Sequence, residues 1–142
     1  MRDVEMNLLL EGLWLKSQEV SDYNTSISGQ QFFGKKPSCA SEPYVVLNLI
    51  VGTHDSFFDY TESTDKFEDF TIQFTIVSKS ESPTEAGNIL EDLKALYDNA
   101  ILTITGYTNI EMKRLTVVGP EWNNDDRIYL YYIRYDVSLQ GT

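Results

Sequence analysis

One cysteine, Cys39, and one histidine, His54, stand in a chain of 142 residues. A lone thiol excludes an internal disulfide and any cysteine-built zinc centre, and fits a reducing compartment. A lone imidazole lacks the second ring that transition-metal sites commonly use. Cations are scarce too: 11 Lys and Arg face 22 Asp and Glu, a formal net charge of −11. That balance excludes general affinity for phosphate backbones, which Lys and Arg supply, and argues against a site on anionic lipid. No apolar run approaches the roughly 20 residues that span a bilayer. The opening Met1-Arg2-Asp3-Val4-Glu5 carries acid where a secretory signal would carry an apolar core. Without such a signal, the acceptor triplet Asn24-Thr25-Ser26 reads as loop chemistry. There is no internal repeat and no low-complexity tract.

What is present is a core. Hydrophobic residues make up 42% of the chain, with nine Tyr and seven Phe supplying much of the apolar area. A chain of this length forms one domain, residues 1–142, burying on the order of two-thirds of its unfolded surface. The plainest pattern runs from Phe67 to Leu96. Phe70, Ile72, Phe74 and Ile76 alternate with Thr71, Gln73 and Thr75, the period of two that a half-buried strand requires. Ser82-Pro83-Thr84-Glu85 then predicts a capping box, with Ser82 as N-cap, Pro83 at the first helical position and Glu85 reaching back. Ala86, Ile89, Leu90, Leu93 and Leu96 make the apolar stripe of the helix, and Asp98-Asn99 ends it.

Upstream, Val4 to Val20 reads as one amphipathic helix with Met6, Leu9, Leu10, Leu13 and Val20 on a stripe. Leu8, Leu15 and part of Trp14 spill beyond it, which points to a second partner. Ser21 to Ser26 reads as a turn cluster. Gln30 to Phe33 predicts a short edge strand. Tyr44 to Val51, introduced by Pro43, is apolar on both faces as a central strand is. Glu111 to Val118 and Ile128 to Leu139 predict a hairpin joined through Gly119 to Asp126, and Thr103 to Thr108 bends at Gly106. The expected class is therefore α+β: a mostly antiparallel twisted sheet with two helices packed on one face, plus an extended hairpin or arm.

That arm lies between Gly52 and Asp69. It carries Asp55, Asp59, Glu62, Asp65, Glu68 and Asp69 against Lys66, with Phe57, Phe58 and Tyr60 embedded. Calcium would want several oxygen ligands, but the spacing lacks the Asp-x-Asp-x-Asp-Gly pattern and its turn glycine, so a solvated charged surface is the better reading. Gly29-Gln30-Gln31-Phe32-Phe33-Gly34-Lys35-Lys36 falls short of a phosphate-binding loop. It ends in Lys36 without a hydroxyl for magnesium, Pro37 follows, and no buried strand precedes it. His54 beside Asp55 reads as a polar residue past a strand end. No catalytic, cofactor-binding or metal-ligating set is selected; nothing picks out a carboxylate pair for glycoside chemistry.

In order, these residues resemble the tail terminator (tail completion) proteins of long-tailed bacteriophages. The likeness consists of the N-terminal helix, Phe32-Phe33-Gly34 with Pro37 beyond, Pro43-Tyr44-Val45-Val46-Leu47 opening a central strand, and Phe70-Thr71-Ile72-Gln73-Phe74. The link into Glu85-Ala86, the second helix and a closing hairpin ending in Tyr135-Asp136-Val137 complete it. The longer acidic arm, and Val77-Ser78 where an aromatic residue is usual, depart from it.

The resemblance implies a structural virion protein without catalysis or cofactor. Six copies would form a ring at the head-proximal end of the tail, capping the tail tube protein and offering a surface to the head-completion or connector protein. Assembly would take place in the host cytoplasm, and DNA would pass through the lumen without specific binding. Trp14, Phe57, Phe58 and Trp122 are the candidate subunit contacts, and Asp55, Asp59, Glu62 and Asp65 the candidate lumen or partner contacts. A head-completion or neck role in the same particle is the near alternative. A small metal-dependent enzyme centred on His54, or a monomeric cytosolic binding module, are the distant ones.

Overall fold

A computed structural model describes residues 6–35, 41–56, 66–79, 82–98, 103–104 and 107–141. At 6–10, 51–56, 66–69, 103–104, 107–111 and 139–141 the description is of backbone alone. The elements are α1 (Met6–Ser17), α2 (Asp22–Ile27), β1 (Gln31–Phe33), β2 (Tyr44–Ser56), β3 (Lys66–Ser78), α3 (Thr84–Tyr97), β4 (Thr103–Ile104), β5 (Tyr107–Asn123) and β6 (Ile128–Gly141). They form one six-stranded sheet in the order β1-β2-β3-β6-β5-β4. Only the β1–β2 pair is parallel; β2–β3, β3–β6, β6–β5 and β5–β4 are antiparallel. The α+β class expected from the sequence is the one observed.

The alternating strand is the spine of the sheet. Its inward residues Phe70, Ile72, Phe74 and Ile76 sit opposite Val137, Tyr135, Ile133 and Tyr131 of β6. On the other side Leu47 and Val45 face Phe74 and Ile76. Helix α3 covers this face with Ala86, Ile89, Leu90, Leu93 and Tyr97, all buried. Each large side chain so buried contributes on the order of 1.5–3 kcal/mol.

Several local expectations are corrected. The N-terminal helix is not continuous to Val20: α1 ends at Ser17, and the segment read as a turn cluster is a second helix, α2. Ser21 caps it, its hydroxyl accepting from the Asn24 amide at 3.1 Å, because a serine in extended backbone meets an orphaned helix donor. Val20, assigned to the apolar stripe, lies beyond the helix and is fully exposed. The sheet thus has three helices for company, not two.

The capping box is not formed. The helix begins at Thr84, and the Glu85 carboxylate turns to the end of β3, accepting from the buried Ser78 hydroxyl at 2.6 Å. Ser82 instead accepts from the Thr84 amide at 3.3 Å.

The terminal hairpin is longer than expected. The sheet pairing continues through Gly119-Pro120-Glu121-Trp122, so β5 reaches Asn123 and the turn shrinks to 124–127. A register shift between Val118 and Glu121 accommodates Gly119 and Pro120. Gly119 has φ +128 and its backbone lies against Leu130; a Cβ there would stand 2.8 Å from the Leu130 carbonyl oxygen.

Candidate functional site

A cluster of tyrosines ties the helices to the sheet. Tyr97, the last residue of α3, donates to the Leu13 carbonyl of α1 at 2.8 Å. The amide oxygen of buried Gln31 accepts from Tyr23 at 2.5 Å and lies 3.4 Å from the Tyr97 hydroxyl, whose one proton serves the shorter bond to Leu13. Tyr97 packs on Phe74 with ring centres 4.8 Å apart, and on Tyr23 and Tyr135 at 6.0 and 6.3 Å. Tyr135 donates to Asp98 at 2.6 Å, and Asp98 lies 3.7 Å from Arg114 of β5. Burial raises the phenol pKa of Tyr23, Tyr97 and Tyr135 well above the ordinary value. For Tyr135 the hydrogen bond and negative charge of Asp98 push further the same way, with Arg114 opposing. Neutral, fully engaged phenols of this kind hold a core together.

The helices cover one face of the sheet; among the described residues no helix covers the other. Its rows follow from the register. Asn48, Gln73, Arg134 and Thr116 form one, and Val46, Thr75, Tyr132 and Val118 the next. Arg134 donates through Nε to Gln73 at 3.0 Å. With Glu121, part of these rows lines a shallow depression of about 480 Å³. Burial and the neighbouring Glu121 carboxylate raise the Tyr132 phenol pKa. The lining offers one carboxylate and one guanidinium but no nucleophile–base pair. Among the described residues no three His, Cys, Asp or Glu come together as a metal site, and no described helix is long and apolar enough to cross a membrane.

The sheet also has long unpaired margins among the described residues. β4 covers only Tyr107 and Thr108 of β5, and β1 covers only Val45 to Leu47 of β2. Along β5, Leu115, Val117, Val118 and Trp122 are 41–51% exposed, and Ile50 on β2 is 40% exposed. β2 is apolar on both sides, as expected, and lies between β1 and β3, while the described helices cover one of its faces.

The candidate contact residues fall unevenly. Trp14 lies on α1, half-exposed beside equally exposed Leu15. Trp122 lies near the tip of the β5–β6 hairpin, 43% exposed, its ring 4.7 Å from Tyr129 and its Nε1 donating to Asn124 at 3.4 Å. The two tryptophans are on separate elements and their rings do not meet. Asp55 stands on β2 opposite Phe67, which makes the acidic segment a hairpin extension of β2 and β3 up to Ser56 and Lys66. His54 pairs with Glu68 in the same ladder. Phe57, Phe58, Asp59, Glu62, Asp65 and Cys39 lie outside the described residues. Within the near phosphate loop, Gln31–Phe33 form strand β1, and Lys36 and Pro37 lie outside the described residues. Sequence reasoning missed the β5 margin because which strand lies near a sheet edge follows from strand order, not from local pattern.

No known protein family and no curated protein matches the chain. Solved structures do. A chain from the virion of a native gene transfer agent particle superposes with a TM-score of 0.74, over 94% of this chain and 95% of that one, at 9% identity. A second solved chain, which carries only a sequence identifier as its name, gives 0.62 over 99% of both at 11% identity. At such identities the likeness is one of fold, and it extends over nearly the whole of both chains.

Proposed function

We propose that this chain is a structural virion protein of a long-tailed phage or phage-like particle, acting as the tail terminator. Copies form a hexameric ring that caps the tail tube and presents the joining surface to the head connector. The observation that carries this reading is the near end-to-end fold likeness to a chain from a gene transfer agent virion. Two features support it. The described surface has exposed apolar strand margins suited to self-assembly, and its depression lacks the paired groups that catalysis needs. Head-to-tail subunits related by a closing rotation make a ring from one such contact.

The test is to assemble particles without the chain and to localise the tagged chain in complete ones. Terminator function predicts free heads, tail tubes of abnormal length, rescue by the intact gene, and label at the head–tail junction. Tails of normal length that fail only to join, with label on the head side, would instead mark a head-completion protein. Fully joined, normal tails without the chain would overturn a virion role at the neck.

A further inference from the structure

We propose that copies of this chain join through α1: its exposed side in one copy packs beside α3 of the next, over the helix-side face of β5. The proposal rests on the ring reading above and names its contact. The helix layer stops short of the β5 margin. Helix α3 packs chiefly on β3 and β6. On one flank it meets α2, where Ser26 donates to Asp92 at 2.6 Å. The opposite flank faces β6 and β5: a Cβ at Gly87 would stand 3.8 Å from the Tyr131 hydroxyl, and Asp98 lies between Tyr135 and Arg114. Beyond that flank the chain's own α1 packs on β4, at the start of β5. Farther along, Val117 and Trp122 pair with buried Ile133 and with Tyr129, which packs against the core, so they share the helix side. They are nevertheless 41% and 43% exposed. Helices side by side lie about 8–10 Å apart, close to two strand spacings of about 4.8 Å. A helix beside α3 therefore falls over these residues.

This margin is poorly made for an added strand. The β5 register shifts three times, between Asn109 and Glu111, Arg114 and Thr116, and Val118 and Glu121, and Pro120 lacks a donor. Such irregularities guard an edge against main-chain pairing. What the margin offers instead is apolar side chains, and a helix covers those by packing alone.

A second copy carries the fitting part. α1, 12 residues and about 18 Å long, shows Trp14 and Leu15 half exposed, with exposed Glu11 one turn before Leu15. Charge selects the place. A net charge of −11 makes copies repel one another in general. Along the flank of α3, however, Lys94 pairs with Glu91 and Arg114 with Asp98, so the groove is neutral. An acid-bearing helix meets no net like charge there. One heterologous contact then covers both exposed apolar sets in every subunit of a closed ring.

The test uses the full chain with Cys39→Ser, carrying either Leu15→Cys or Val117→Cys, both at exposed positions. The two variants, mixed and treated with a short thiol-to-thiol cross-linker, should give a dimer that neither gives alone. Val117→Glu should shift sedimentation from oligomer to monomer with an unchanged circular dichroism spectrum, and Leu15→Lys, on the other partner surface, should do the same. Thr116→Glu, one residue away but paired with Arg134 on the opposite face, should leave the oligomer intact. Dimers from either cysteine variant alone, or equal loss of oligomer from both glutamates, would overturn the α1 joint. So would an oligomer that survives Val117→Glu and gives no mixed cross-link, a result that leaves the ring itself standing. A chain monomeric and uncross-linked up to its solubility limit would also overturn the joint, while free heads and abnormal tails in particles lacking the chain would still sustain the terminator reading.

Discussion

Tyr97 closes α3 and makes three kinds of contact at once: a hydrogen bond to α1, an approach to the Gln31 oxygen that accepts from Tyr23 of α2, and ring packing on β3. Tyr97→Phe keeps the packing and deletes the hydroxyl, leaving the Leu13 carbonyl without that donor. Urea unfolding should show a loss of about 1–2 kcal/mol with an unchanged slope. The same phenols set an alkaline limit. Tyr23, Tyr97 and Tyr135 have pKa values raised in the folded state, first by burial. In the unfolded chain they ionise near the ordinary value of about 10. The stability they confer is therefore fully present below that pH and is lost as pH climbs from there toward the folded values, because the unfolded state releases protons that the native state retains. Each such phenol should lower stability by about 1.4 kcal/mol per pH unit above 10. Phenolate absorbance should show part of the titration of the nine tyrosines occurring only together with loss of secondary structure. Titration of all nine before unfolding would contradict the packing described.

At the scale of elements, the junction of β3 and α3 separates what local pattern dictates from what tertiary contact decides. Ser82-Pro83-Thr84-Glu85 spells a capping box, yet Glu85 is drawn to Ser78, which is buried at the end of β3 and better rewarded there than an exposed serine would be. Ser78→Ala should accordingly cost about 1–2 kcal/mol in thermal or urea unfolding, and Ser82→Ala less than about 0.5 kcal/mol. The capping-box reading demands the reverse order. The strand itself was legible because alternation over Phe70 to Ile76 depends on nothing distant, and α3 was legible from its stripe. The stripe stopped at Leu96, since a tyrosine at position 97 looks like a surface residue until β6 and α2 supply its partners. Helix α2 was hidden because Ser, Asp, Asn and Thr serve caps and turns alike, and two buried residues, Tyr23 and Ile27, are too few to show a period. β5 was cut short because Gly119-Pro120 ordinarily ends a strand, and here a bulge carries the pairing past it. The candidate surface was less legible still. Exposed Trp14 and Trp122 could be named singly, but a free edge is a property of strand order, and no local pattern encodes which strands are last.

For the molecule as a whole, the proposed ring would require the excess of acid to be compatible with DNA passing through it. Between the paired ends of β2 and β3, Asp59, Glu62 and Asp65 concentrate negative charge at one point of the chain. If copies of that point border the lumen, their charge repels the phosphates of passing DNA, but only at short range, since the Debye length is about 8 Å at physiological ionic strength. Replacing these three with Asn, Gln and Asn moves the net charge from −11 to −8 and leaves Asp55, on the β2 margin, untouched. Particles built from that variant should join heads to tails normally and eject DNA more slowly, with the defect shrinking as salt rises and adhesion to the wall weakens. Scoring joined particles by microscopy and ejection by loss of packaged DNA keeps the two readouts apart. Normal ejection with failed joining would show instead that the acids dock onto a basic surface of the tube or connector, where each lost charge weakens an encounter between proteins and not the passage of a polyanion.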